Sequence, residues 1–344
     1  MKAAVYRGER NLPIEQIDRP TVKPGWVLLN VAYNGICGSD LHAYLEGEQL
    51  GMQPGIVIGH EFSGTVTEIG EGVTRAKVGD KVVVAPLVYC GKCYYCRQGL
   101  YNLCESMGFY GSVLNGGLEP YVLVPEDVVF QLPDNLSLEE GALTEPLAVA
   151  FHAVRRSRLA PGESAFISGA GPIGLAAIAS AVAAGASKII VSEISRVRQQ
   201  KAWELGATHV LNPTETDVVR TVHELTGGLG TDVALEAAGV QPALDVALQS
   251  TRKGGRFVQI ALWGESPRVD MMMNVMKETE MIFSLAYSFV EEFPDLLELM
   301  SKGTIQPKKL ITDVIPLDDV VKGGFEELLN NRDAHAKILV NPNA

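Results

Sequence analysis

Positive charge is what this chain has too little of. Lys and Arg number 29 against 41 Asp and Glu, a formal net charge of -12. That balance argues against nucleic acid or an anionic membrane as a partner, because both require a positive face. An apolar leader is missing as well: Met1-Lys2-Ala3-Ala4-Val5-Tyr6-Arg7-Gly8 lacks the apolar middle region of a signal peptide. The one long stretch poor in charge, residues 165–191, is broken by Gly169, Gly171, Pro172, Gly174 and Gly185. It reads as buried strand, turn, helix and strand rather than as a membrane span. Cysteine is scarce and odd in number: Cys37, Cys90, Cys93, Cys96 and Cys104. An odd set without a leader speaks against a disulfide scaffold and for a reducing, cytoplasmic setting. Internal repeats and low-complexity tracts are absent too.

What is present suits a globular chain, with 47% apolar and 20% charged residues. At roughly 150 residues per domain, the length predicts two domains. Residues 1–140 read as β-rich, with short apolar runs at 27–29, 64–69, 81–85 and 121–124 separated by Gly, Pro or Asp. The rhythm changes near Pro146. Residues 147–158 read as a helix with Pro in its first turn and Arg155, Arg156 and Arg158 near its end, where the dipole favours cations. Strands at 163–168, 188–191, 208–211, 232–236 and 256–262 then alternate with helices at 172–184, 198–205, 216–225 and 242–249. Repeated βα units imply an α/β fold, a doubly wound parallel sheet covered by helices on both faces. Beyond residue 290 about 50 residues remain, too few for a domain of their own, so they are expected to return to the first segment. The expected division is 1–150 with 291–344, and 151–290.

Cys90-x2-Cys93-x2-Cys96-x7-Cys104 places four thiols within 15 residues. Four thiolates around a tetrahedral zinc make a closed structural site with no open position for chemistry. Four unrelated thiols, or an iron–sulfur cluster, are the rival readings. A second constellation is dispersed: Cys37 in Gly35-Ile36-Cys37-Gly38-Ser39-Asp40-Leu41-His42, then Gly59-His60-Glu61, then Thr144-Glu145-Pro146. Cys, His and Glu are zinc ligands, and three of them with one position open is the catalytic arrangement.

Gly169-Ala170-Gly171-Pro172-Ile173-Gly174 matches G-x-G-x-x-G between an expected strand and an expected helix. The first glycine serves the turn, the second admits a pyrophosphate, and the third permits close helix–strand packing. Glu193 follows the next strand, where a carboxylate can bond the adenosine ribose hydroxyls and repel a 2′-phosphate. That predicts NAD over NADP, tempered by the nearby Arg196 and Arg198.

These features together resemble the zinc-containing medium-chain alcohol dehydrogenases over essentially the whole chain. The runs Gly99-Leu100-Tyr101-Asn102-Leu103-Cys104-Glu105 and Gly141-Ala142-Leu143-Thr144-Glu145-Pro146-Leu147-Ala148-Val149-Ala150 resemble the 2,3-butanediol dehydrogenase branch, with sorbitol dehydrogenases slightly further off. The resemblance implies a Rossmann domain, holding NAD with Gly169, Gly171, Pro172, Ile173, Gly174, Glu193 and Arg198, beside a β-rich GroES-like catalytic domain completed by the C-terminal segment. It implies two zinc ions, one structural on the four-cysteine lobe and one catalytic. Cys37 and His60 match the family's catalytic zinc ligands. Asp40 matches the carboxylate that orients the histidine, Ser39 the hydroxyl that takes the substrate's proton, and His42 the group that passes it to solvent. Glu61 and Glu145 both compete for the third ligand position. A divalent zinc with one thiolate, a neutral imidazole and one carboxylate sums to zero, and a second carboxylate leaves the site negative and weakens the ion's pull. One glutamate is therefore expected at the metal at a time, or one reaching it through water.

The implied reaction is hydride transfer between NAD(H) and a secondary alcohol or ketone, 2,3-butanediol and acetoin first, with sorbitol or xylitol and L-threonine as alternatives. Other classes are a zinc-free reductase or lyase on the same fold and a catalytically silent nucleotide-binding or redox-sensing protein. The metal-ligand set disfavours the former, and the Ser39–His42 pair the latter. A small diol or polyol is the expected partner, together with further copies of the chain in a homodimer or homotetramer. His152, His209, His223 and His335 are expected to be structural, and Met271-Met272-Met273 to be core or interface filler.

Overall fold

The computed structural model describes residues 1–49 and 51–344. The chain divides into two compact units, one of Met1–Glu145, Ser288–Ser301 and Ile311–Ala344, the other of Pro146–Tyr287 and Lys302–Leu310. The cut falls at Glu145 rather than at 150. The return to the first unit begins at Ser288 rather than 291, and Lys302–Leu310 belongs to the second unit.

The first unit is built on the strand Trp26–Gly35, whose ten residues change partners along their length. Trp26 to Asn30 pair antiparallel with the strand Tyr121–Pro125. The strand Glu61–Ile69 pairs along most of the hub, with bulges that re-aim its end. At that end Leu339 and Val340 pair with Gly35 and Asn34, bringing in the C-terminal strand Lys337–Asn341. Tyr6, Ile36, Ile58, Leu118, Phe325 and Ile338 share one buried cluster. It draws on the start, middle and end of the chain, and each large side chain so buried contributes roughly 1.5–3 kcal/mol. This is why the last residues return: their apolar strand completes a core that the first 145 residues leave open.

In the second unit six strands, all parallel, lie in the order His209–Leu211, Lys188–Ser192, Ser164–Ser168, Thr231–Glu236, Thr251–Gln259 and Glu280–Phe283. Numbered along the chain this is 3-2-1-4-5-6, the doubly wound order, which reverses beside Ser164–Ser168. Phe166, Ile190, Val222, Ala234, Leu248 and Phe257 fill one side of the sheet. The helix Pro172–Ala183 is buried from Gly174 to Ala181, which accounts for the low charge of that stretch. Among the described residues no helix is long and apolar enough to cross a membrane.

Several boundaries differ from those read in the sequence. The helix expected at 147–158 is Thr144–Ser157, so Glu145 and Pro146 both lie in its first turn, and Arg158 leaves it with φ +55°. The helix expected from 198 begins at Arg196, because Ser195 caps it by accepting from Arg198 N. His209, His223 and His335 lie within hydrogen-bond distance of Thr208, Gly228 and Glu327. Met271 and Met272 are exposed, so the core alternative fails for both.

Candidate metal centre and dinucleotide turn

The peptide after Gly35 leaves its strand and turns into the helix Gly38–Glu46, with Cys37 as the N-cap residue. Asp40 closes the turn: its Oδ2 accepts from Cys37 N at 2.9 Å. Its Oδ1 lies 3.1 Å from Nδ1 of His60, the residue just before the strand Glu61–Ile69. One buried carboxylate thus fixes the backbone of Cys37 and the ring of His60. With the proton on Nδ1, the lone pair on Nε2 is left to face a metal. Ser39 Oγ lies 3.4 Å from that Nε2. His42 is exposed one helical turn beyond Ser39.

Ligand atoms of Cys37, His60 and Glu61 all lie within 4.8 Å of one another. Burial opposes a charge on the His60 ring, yet Asp40 and Cys37 outweigh it and hold the imidazole well above its ordinary pKa. The pocket thus attracts positive charge, and its donor set of soft thiolate, imidazole and carboxylate suits zinc. Phe109 forms one wall, its ring 6.0 Å from that of His60. Glu145 is buried too, but it lies outside the converging three.

The sequence reading missed Lys337. It begins the last strand, is 1% exposed, and its Nζ bonds both oxygens of the fully buried Glu61 at 2.7 Å and the Ile36 carbonyl at 3.1 Å. Burial opposes its charge, but Glu61, Cys37 and Glu145 raise its pKa above the lysine range. Its only signal in the sequence is a lone cation at the head of the apolar run Ile338-Leu339-Val340. Lysines are rarely buried without a partner.

The four remaining cysteines converge in the same way, their Sγ atoms within 4.8 Å of one another. Ligands about 2.3 Å from a tetrahedral zinc stand ~3.8 Å apart, so the set fits a closed site. Backbone N–H groups already point at the sulfurs: Cys90 N at Cys104 Sγ (3.3 Å), Cys93 N at Cys90 Sγ (3.4 Å), Cys96 N at Cys93 Sγ (3.5 Å) and Ser106 N at Cys104 Sγ (3.4 Å). Such donors favour the thiolate at Cys90 and Cys93, whereas burial pushes the Cys96 thiol up to about 12. The donors from Cys96 and Glu105 bring the Cys93 thiol down to about 6.

In the second unit the glycine turn follows Ser168 at the point where the strand order reverses, the place where open α/β sheets bind ligands. Gly169 has φ +89°, and a Cβ on Gly174 would lie 2.0 Å from the Gly169 carbonyl, so both are required by the chain itself. Gly171 is different. Its φ is -63° and a Cβ there would meet nothing within 4 Å. That open space lies at the N-terminus of the helix Pro172–Ala183, with Pro172 in its first turn and Ile173 and Gly174 following, a position suited to a phosphate. Glu193 follows the strand Lys188–Ser192, and its oxygens accept from Ala170 N at 2.7 Å and Ser195 N at 2.8 Å. It therefore braces the glycine turn and keeps lone pairs for a further donor. Arg198 is half-buried on the following helix.

Residues 23–134 match the alcohol dehydrogenase GroES-like domain family and residues 172–302 the zinc-binding dehydrogenase family. The chain therefore belongs to the zinc-containing medium-chain alcohol dehydrogenases, a family of oxidoreductases. Among its relatives is an (R,R)-butanediol dehydrogenase of Bacillus subtilis strain 168, 43% identical, with all of both chains covered. A sorbitol dehydrogenase of the same organism is 36% identical over all of this chain and 98% of its own. The crystal structure of a 2R,3R-butanediol dehydrogenase from Bacillus subtilis superposes with a TM-score of 0.92 at 43% identity, covering 99% of each chain.

Proposed function

We propose that this protein is an NAD-dependent, zinc-dependent dehydrogenase of vicinal diols, interconverting 2,3-butanediol and acetoin. The observation that carries the reading is the convergence of Cys37, His60 and Glu61 with the Ser39 hydroxyl against the His60 ring. The 43% identical butanediol dehydrogenase supports the substrate class. The sorbitol dehydrogenase, at 36%, supports a polyol as the second reading.

Cys37 and His60, with one glutamate, hold the catalytic metal. Cys90, Cys93, Cys96 and Cys104 hold the structural one. When bound, zinc supplies Lewis acidity toward the substrate hydroxyl, and NAD supplies the hydride acceptor. Asp40 keeps His60 in one tautomer and orientation. Ser39 takes the hydroxyl proton, and the exposed His42 passes it to solvent. Phe109 keeps water from that side of the metal position. Gly169, Gly171, Pro172, Ile173 and Gly174 cradle the pyrophosphate, while Glu193 and Arg198 flank the adenosine ribose, the carboxylate favouring NAD over NADP.

The five free cysteines support a reducing, cytoplasmic setting. Exposed Met271, Met272, Val275, Met276 and Phe283, next to the edge strand Glu280–Phe283, support a homodimer or homotetramer. The test of function is the absorbance of the reduced cofactor with 2,3-butanediol stereoisomers, sorbitol, xylitol, threonine and ethanol, each with NAD and with NADP. Fastest turnover of a butanediol stereoisomer with NAD is expected. Preference for sorbitol would move the assignment to polyols, and turnover of none would remove it.

A further inference from the structure

Glu236 ends the strand Thr231–Glu236 and is fully buried. Its Oε1 accepts from Ala238 N and Gly239 N, both at 2.8 Å, and its Oε2 from Gln259 Nε2 at 2.7 Å. All three partners are donors, and the ionised carboxylate is the acceptor-only form that such a shell suits. Burial raises its pKa, and the three donors draw it back. None of the three is a cation. Among the described residues Asp232 has Arg252, Glu163 has Arg256 and Glu61 has Lys337, but no cation pairs with Glu236. A charge buried without a counter-charge is costly. Clamping two backbone N–H groups does not require it, since a neutral amide oxygen would accept from both.

The position of Glu236 gives the charge a use. Ser168, Glu236 and Gln259 are register neighbours at the C-terminal ends of three parallel strands, where the ligand crevice of such a sheet lies. The turn that Glu236 clamps packs against the glycine turn. Ala237 N donates to the Ser168 carbonyl at 3.0 Å, and a Cβ on Gly169 would lie 2.9 Å from Ala238 Cβ. A doubly wound sheet shares a dinucleotide between its two halves of three strands. Glu193, after the strand Lys188–Ser192, marks the adenosine half, so the nicotinamide nucleotide falls to the half that begins with Thr231–Glu236. The nicotinamide ring is a cation when oxidised and neutral when reduced. We propose that the buried charge of Glu236 makes the site discriminate between the two forms of the cofactor, holding the oxidised form by attraction and loosening its hold once hydride has cancelled the charge of the ring. Glu236 is not a catalytic residue; it acts across space. The proposal rests on the NAD-dependent reading above.

The experiment titrates the full-length wild type, Glu236→Gln and Gln259→Lys with oxidised NAD by calorimetry and with NADH by its fluorescence. It is done without substrate at mildly alkaline pH, beside a thermal melt of each protein. The readout is the ratio of the two dissociation constants, NADH over NAD. Glu236→Gln keeps the shape and removes the charge. Gln259→Lys keeps the acid and sets an ammonium against it. Each should lower the ratio by about three- to tenfold, the scale of one charge pair at a high effective dielectric constant. A merely structural acid would move both affinities together and leave the ratio where it was. An unaltered ratio in folded Glu236→Gln, or in Gln259→Lys, overturns the proposal. Should Glu236→Gln fail to fold, Gln259→Lys decides alone. A wild type that binds neither form would instead remove the NAD-dependent reading itself.

Discussion

Glu119 is fully buried, and among the described residues neither of its oxygens has a hydrogen-bond partner. Burial pushes its carboxyl up to about 8 from an ordinary 4.5, with the N-terminal ammonium offsetting a small part. The folded chain therefore holds a proton that the unfolded chain has already released. Between those two values stability falls as pH rises, and the penalty is complete above about 8. Glu119→Gln keeps the shape and removes the ionisation. It should raise the melting temperature at alkaline pH, by an energy on the order of a few kcal/mol, and leave it nearly unchanged in mild acid. Thermal melts of both proteins across pH check this, and equal alkaline melting temperatures would refute it. Glu61 shows the opposite solution to the same problem. It too is fully buried, but the Lys337 ammonium stands against both of its oxygens at 2.7 Å.

At the scale of elements, the glycine turn separates what folding requires from what a ligand requires. Gly169 and Gly174 are required by the turn itself, through a left-handed φ and a 2.0 Å approach. Gly171 has an ordinary φ and open space beside it. Gly171→Ala should therefore leave stability unchanged or raise it by up to about 1 kcal/mol, since the chain loses only unfolded-state freedom. The same methyl should weaken NAD binding by about tenfold or more, roughly 1.4 kcal/mol. Calorimetric titration together with a thermal melt reads both; a fall in stability without a change in affinity would remove the ligand argument. Element boundaries followed sequence punctuation where a cap stood nearby, as with Gly171 before the helix Pro172–Ala183. They departed where a cap went unread, as at Ser195, or where a helix runs on before its proline, as at Thr144.

For the whole molecule, the two metal-ligand groups should have separable roles. Cys37→Ser is expected to abolish turnover while keeping the fold and the zinc of the four-cysteine lobe. Cys93→Ser should lose the other zinc and lower the melting temperature or impair assembly, because structural zinc contributes directly to folding. Metal analysis beside thermal melts checks the pair, and the reverse pattern would exchange the two assignments. The methionine-rich surface belongs to this scale as well. Met272 is 71% exposed, and Met272→Glu should shift sedimentation toward smaller species with turnover per chain largely kept. An unaltered sedimentation profile would place the contact elsewhere.

Local chemistry wrote a good deal of this protein into its sequence. Thiol spacing marked the convergent four-cysteine lobe, the strand–glycine–helix context marked the glycine turn, and alternating βα units marked the doubly wound sheet. Each depends on residues within one or two neighbouring elements, so spacing alone carries it. The union of Cys37, His60 and Glu61 was suggested by resemblance, and only the pairing of Trp26–Gly35 with Glu61–Ile69 brings them within reach of one ion. Lys337 lies 276 residues from its partner Glu61. No periodicity or motif spans that interval, and the contact exists because an apolar C-terminal strand is driven into the first core and carries its one charge to the buried carboxylate of Glu61.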